Sequence, residues 1–126
     1  MITHINLGSN NLEAAEAFYN ELLSLFGGKQ TFKSERTVYF TLGEGNGANL
    51  AINTPFDGNP ATTGNGSMVA LGAVDTNQVD AVYRKALELG GRCEGEPGER
   101  LGGAMYAAYF RDLDGNKLAV FCQPGH

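Results

Sequence analysis

The stretch HINLGSNNLEAAEAFYNELLSLFG (residues 4–27) returns 64 residues later as MVALGAVDTNQVDAVYRKALELGG (residues 68–91). Leu7 and Leu71, Gly8 and Gly72, Ala17 and Ala81, Tyr19 and Tyr83, Leu23 and Leu87, Leu25 and Leu89, and Gly27 and Gly91 coincide. Chance from average composition gives only about one or two such identities. A second match, Gly47-Ala-Asn-Leu-Ala-Ile52 with Gly115-Asn-Lys-Leu-Ala-Val120, lies at a shift of 68. The chain is therefore two copies of one module. The change of shift places four extra residues in the second copy, assigned to the Gly-rich stretch 95–103.

Each copy reads as a strand, a helix and three strands. Residues 2–8 alternate, with Ile5 and Leu7 on one side and His4, Asn6 and Gly8 on the other. Asn10 and Glu13 have capping-box spacing, with Asn in the usual Ser/Thr place. A helix over about 12–26 then buries Ala15, Phe18, Tyr19, Leu22 and Phe26 and stops at Gly27-Gly28. Strands follow over 29–35, 37–42 and 49–54, with a turn at 43–47. The second copy gives a strand over 67–74 and a helix over about 77–89. Further strands lie near 92–96, over 104–111 and over 117–123, with Asp112-Leu-Asp-Gly115 as the last turn. The result is one α+β domain, 1–126, of two tandem βαβββ modules. Module 1 is about 1–56, the turn-rich linker 57–66, and module 2 about 67–126.

Alternation divides the strand residues into two faces. Ile5, Leu7, Val38, Phe40, Leu42, Leu50, Ile52, Val69, Leu71, Phe110, Leu118 and Val120 form an apolar set for the helices. The other face holds His4, Asn6, Tyr39, Thr41, Ala51, Asn53, Met68, Ala70, Tyr109, Arg111, Ala119 and Phe121. Such a mixture suits a small-molecule cavity with a few placed polar groups. It also suits a second packed layer.

Composition narrows the partners. Glycine is 18 of 126 residues, about twice the usual share, without a Gly-X-Y period. The net charge of −5 and the scattered lysines and arginines argue against nucleic acid. No run approaches the roughly 20 apolar residues of a membrane span. The N-terminal residues show no charged and apolar signal pattern. Cys93 and Cys122 have neither CxxC nor zinc spacing and read as reduced thiols, with Cys122 facing the helices. The expectation is a soluble cytoplasmic domain.

The tandem βαβββ modules, His4 on the first strand and the run Tyr106-Ala-Ala-Tyr-Phe-Arg-Asp-Leu-Asp-Gly-Asn-Lys-Leu-Ala119 together resemble the vicinal-oxygen-chelate superfamily. That superfamily includes glyoxalase I, extradiol dioxygenases, fosfomycin-resistance proteins and bleomycin-resistance proteins. The resemblance covers essentially the whole chain. Gly64-Asn-Gly66 and Gly115-Asn-Lys-Leu118 look like its glyoxalase-like branch. It implies an eight-stranded cup-shaped sheet with helices outside, and commonly a homodimer. It also places metal ligands at the positions of His4, Ala51, Met68 and Ala119. Of these, only His4 is a ligand for a hard or borderline divalent ion, and Met68 is a soft thioether. The resemblance therefore implies a degenerate metal site, with no metal and no cofactor expected. His126 reads as a solvated tail.

The candidate ligand-binding residues are His4, Asn6, Tyr39, Ala51, Asn53, Met68, Tyr109, Arg111, Ala119 and Phe121. The candidate catalytic residues are His4, Tyr109 and Arg111. His4 fits a packed pocket residue or an acid/base group. Arg111 fits a grip on a carboxylate or phosphate, or an ion pair with Asp112, Asp114 or another acid. Tyr39, Tyr109 and Phe121 fit stacking on a planar ligand or plain aromatic packing. Glu99-Arg100 falls in the 95–103 segment, read as a loop. The leading functional expectation is binding of a small organic molecule in the cup, by analogy with bleomycin-resistance proteins. The alternatives are a glyoxalase-like lyase or isomerase acting through His4, Tyr109 or Arg111, and an extradiol-type dioxygenase. The last lacks the necessary ligand set on the expected strands.

Overall fold

A computed structural model of the chain describes residues 1–43 and 47–124. The expected turn at 43–47 and the tail residue His126 therefore fall wholly or partly outside the described residues. The chain divides into two compact units, 1–63 and 64–126, and the division falls within the turn-rich stretch 57–66.

In the first unit β1 (His4–Gly8) leads to α1 (Leu12–Ser24), then β2 (Lys29–Lys33), β3 (Thr37–Thr41) and β4 (Asn49–Asn53). In the second, β5 (Val69–Gly72) leads to α2 (Thr76–Glu88), β6 (Arg92–Arg100), a short 3-10 turn at Leu101–Gly103, β7 (Met105–Arg111) and β8 (Lys117–Cys122). Each unit has its own four-stranded sheet, in the orders β1-β4-β3-β2 and β5-β8-β7-β6. The first strand pairs parallel with the last of its unit, and the remaining pairs are antiparallel. The sheets are thus two copies of one βαβββ arrangement.

The register shows the duplication more fully than the sequence does. Ile5 lies opposite Leu50, and Val69 opposite Leu118. Tyr39 lies opposite Ala51, and Tyr109 opposite Ala119. Tyr39 and Tyr109 are therefore equivalent, although no single sequence shift aligns them together with the first strands and helices.

Helix boundaries follow local chemistry. The N-cap of α1 is Asn11, whose side chain accepts from Ala14 N at 3.1 Å. The expected cap, Asn10, lies one residue earlier and instead holds Ala61 through both its amide oxygen and nitrogen. Both are N-cap residue types and only Asn10 has a Glu three residues on, but its side chain is engaged by the distant backbone at Ala61. In α2 the cap is Asp75, which accepts from Gln78 N at 2.8 Å. A cap of this kind contributes about 1 kcal/mol.

Past α1, Gly27 adopts φ +77° and Gly28 N donates to Leu23 O at 2.9 Å. Past α2, the left-handed residue is Gly90, with φ +103°, and Gly91 N donates to Ala86 O at 2.8 Å. The structural partner of Gly27 is therefore Gly90, one residue away from the sequence match with Gly91.

The core of the first unit joins Ala15, Phe18, Tyr19, Leu22 and Leu23 of α1 to Val38, Phe40, Leu50 and Ile52. Leu23 takes the place expected for Phe26, because the helix ends at Ser24 and Phe26 belongs to the following turn. Tyr19 packs against both Phe18 and Phe40, with ring centroids 5.0 and 6.2 Å apart. In the second unit Val79, Val82, Tyr83 and Ala86 face Ala108, Phe110, Leu118 and Val120.

The largest departure from the expected elements is β6. The Gly-rich segment is paired strand as far as Arg100, not loop from residue 95. Irregularities between Cys93 and Gly95 and between Gly95 and Gly98 absorb the extra residues. Pro97, which has no N–H for a ladder, falls inside the second irregularity.

Candidate functional site

The first unit's sheet turns one face toward α1 and leaves His4, Asn6, Tyr39, Asn49, Ala51 and Asn53 on the other. His4 is exposed at the start of β1, and its Nδ1 lies 3.0 Å from Thr3 Oγ1. The His4 ring meets the Tyr39 ring in a T-shaped contact, centroids 5.5 Å apart. Asn49 holds Tyr39 from the adjacent strand: Asn49 Nδ2 donates to the tyrosine oxygen at 3.2 Å. Leu42 N in turn donates to Asn49 Oδ1 at 3.1 Å.

That linkage orients the phenol and leaves its O–H proton available to a ligand. His4 Nε2 likewise has no hydrogen-bond partner among the described residues. Asn49 was absent from the candidates read from sequence. Its spacing of two from Ala51 and four from Asn53 places it on their face and was a usable signal.

The second unit's equivalent face centres on Tyr109. Lys117 Nζ lies over its ring at 5.4 Å from the centroid, and the Arg100 guanidinium at 5.6 Å. Arg100 is fixed by donating to Glu96 O at 2.7 Å and Glu99 O at 3.1 Å. Gly95 lies opposite Tyr109, and a Cβ there would come within 2.9 Å of Tyr109 Cδ2, so the glycine makes room for the ring.

Arg111 is paired. Its Nε donates to Glu94 Oε1 at 2.8 Å, and its Nη1 to Gly115 O at 3.0 Å. The partner is thus neither Asp112 nor Asp114. Glu94 lies at an irregularity in β6, where counting along the strand does not reveal which side chains meet. The Arg111 hydrogen bond and charge hold the Glu94 carboxyl below its ordinary range.

The remaining candidates fall as follows. Ala51 and Ala119 are buried, each opposite the tyrosine of its own unit. Asn6 is exposed, while Asn53 and Phe121 are half-buried. Met68 lies just before β5, not inside a strand, and is 46% exposed. Cys122 is buried behind the sheet, where desolvation pushes its thiol up and makes it a poor nucleophile. Cys93 is exposed, and its hydrogen bond pushes the Tyr83 hydroxyl up to about 12.

Metal chemistry has little to attach to here. The positions that the resemblance assigns to ligands offer one imidazole, one thioether and two methyl groups. A catalytic divalent site usually takes about three protein ligands. Among the described residues no group of three or more His, Cys, Asp and Glu side chains stands together to hold an ion. These residues do not fit a catalytic divalent ion at the positions that the resemblance implies. No helix among the described residues is long and apolar enough to cross a membrane.

Tandem βαβββ units, each with an aromatic and polar face turned away from its helix, define a protein of the glyoxalase fold. The chain belongs to the Glyoxalase/Bleomycin resistance protein/Dioxygenase superfamily, whose family model matches residues 1–120. It is 34% identical to a glyoxalase/bleomycin resistance protein from Albidiferax ferrireducens T118, over 98% of this chain and 99% of that one, with a TM-score of 0.88. A lactoylglutathione lyase from Agrobacterium tumefaciens is 25% identical, over 97% and 92% of the two chains, with a TM-score of 0.71. A fosfomycin resistance protein from Listeria monocytogenes shares the fold at 17% identity and a TM-score of 0.74, over 99% and 94%. A comparison with curated protein sequences gives no match.

Proposed function

We propose that this protein binds a small organic molecule on the faces that carry His4 with Tyr39 and Tyr109 with Arg100, and does so without a divalent metal. The observation that carries the reading is the repeated tyrosine opposite alanine, Tyr39 with Ala51 and Tyr109 with Ala119. In each unit a flat ring stands beside a position too small to supply a donor, and polar groups border it. This is the composition of a ligand face.

The charges favour a neutral or anionic ligand over a cationic one at Tyr109. Arg100 and Lys117 already lie over that ring, where a bound cation would have to displace them. The cationic-drug analogy with bleomycin-resistance proteins therefore loses support at this face. The net charge of −5 does not restore it, because local groups set the field that a bound ligand meets.

The test is native mass spectrometry and elemental analysis of gently purified protein. The expected result is a bound organic species, released in Tyr109→Leu, with no stoichiometric metal. About one zinc, nickel, iron or manganese per chain, lost on His4→Ala, would reverse the metal-free reading.

A second reading is a glyoxalase-like lyase or isomerase, favoured by the unpartnered His4 Nε2 and the available Tyr39 hydroxyl, whose rings are in contact. An imidazole and a phenol of this kind can exchange a proton with a bound carbonyl compound. Turnover of an α-ketoaldehyde–thiol adduct, abolished by His4→Ala and retained by Arg111→Lys, would establish it. The same overall reading takes the protein as a cytoplasmic homodimer. Sedimentation that gives a single 13.4 kDa particle at high concentration would remove the dimer.

A further inference from the structure

A cavity of about 440 Å³ opens in the first unit where β1 and β4 end and β3 begins. It lies at the strand ends, apart from the sheet face that carries His4 and Tyr39. We propose that it is a second binding site, and that its ligand is a small aromatic carboxylate.

Charge comes first. None of the nine lining residues is acidic, although the chain as a whole is acidic, and Arg36 is the one cation among them. Asp57 belongs to the same loop but is not among the lining residues, and its carboxylate accepts from Asn59 N at 2.9 Å. A carboxylate placed here meets a guanidinium with no competing acid in the wall.

The guanidinium is also held ready. Arg36 Nη2 donates to Thr54 O at 2.9 Å, and Thr54 N donates back to Arg36 O at 3.0 Å. The Arg36 head lies over the Phe56 ring at 5.4 Å. Nε and Nη1 make no hydrogen bond among the described residues, so one edge of the planar fork remains for an anion.

Phe56 supplies the aromatic preference. It is 91% exposed, an unusual position for a large ring, and it lines the cavity together with Pro55 and Pro60. The loop that presents it is constrained: Gly58 takes φ +77° and its N–H donates to Pro55 O at 3.1 Å. Guanidinium, ring and loop are thus in place before a ligand arrives, which lowers the cost of ordering them. The volume falls within the ordinary range for small-molecule sites, roughly 300–1,000 Å³.

The experiment is amide NMR titration with benzoate, with benzylammonium and inorganic phosphate as comparison probes. Benzoate should give saturable shifts at the amides of Arg36, Thr54 and Phe56, and benzylammonium none. Arg36→Gln and Phe56→Ala should each weaken benzoate about tenfold, loss of a charged hydrogen bond or a ring contact each being worth that much. Arg36→Lys, which keeps the charge but not the fork, should fall between. The rest of each variant's spectrum should match the parent, which separates lost binding from lost folding. Absence of saturation, shifts that survive Arg36→Gln, or shifts centred on His4 and Tyr109 instead would each overturn the site. Phosphate saturating as tightly as benzoate would overturn its aromatic preference.

Discussion

Asp112→Ala should lower stability by about 3 kcal/mol, read as a fall of about 10 °C in Tm or as an early urea midpoint. The residue is 4% exposed and stands in the turn between β7 and β8. Its Oδ1 accepts from Asp114 N and Asn116 N, each at 2.9 Å, and its Oδ2 accepts from Asn116 Nδ2 at 2.9 Å. Asp112 N and Asn116 O close the loop at 2.9 Å. One carboxylate therefore organises the turn that sets β7 against β8. Truncation removes the acceptor from three donors at once, and part of their desolvation cost is left uncompensated. Asp112→Asn is the informative control. Its amide oxygen can still serve the two backbone N–H groups, while Asn116 must turn over to offer an acceptor, so the loss should be about 1 kcal/mol. Equal losses for the two variants would mean that charge, and not acceptor geometry, holds the turn. No loss in either would refute the assignment.

How far the sequence could be read depends on whether a feature is periodic or spatial. The repeated LG, the shared Tyr19 and Tyr83, and the alternation through Val38, Phe40, Leu50 and Ile52 are periodic, and they led to the tandem βαβββ units. Features set by contacts between distant residues were not legible. Asn10 has the capping-box spacing, yet Ala61 engages its side chain and Asn11 caps the helix instead. The Arg111–Glu94 pair forms across an irregularity that breaks the strand count. The equivalence of Tyr39 and Tyr109 was hidden because the β7–β8 connection is two residues shorter than the β3–β4 connection, which moves the offset to 70. Arg36 and Phe56 sit outside the strands and helices, where no periodicity marks a shared wall.

The same duplication allows a ranked prediction for the glycines, and the largest effect should be at Gly91. A Cβ at Gly91 would lie 2.7 Å from Arg111 O and 2.8 Å from Ala86 O, both backbone atoms. Ala86 O is also the acceptor for Gly91 N, so the bond that closes α2 is what brings the clash so near. No rotamer change relieves it. The chain must break that bond or move the start of β6 away from β7. Gly91→Ala should therefore cost about 3 kcal/mol, at the upper end for an added methyl. Because β7 carries Tyr109 and Arg111, the ligand binding proposed for that face should weaken together with stability. Gly28 closes α1 through the corresponding bond to Leu23 O, but its nearest clash is looser, at 3.0 Å. Gly28→Ala should cost about half as much. Gly72, in β5, has open space around the Cβ position, so Gly72→Ala should stay within about 0.5 kcal/mol of the parent. Urea unfolding of the three variants measures the order directly. If Gly91→Ala unfolds no earlier than Gly72→Ala, the six-residue closure is not what fixes α2 against its sheet, and the close approach of Gly91 to Arg111 must relax at little cost.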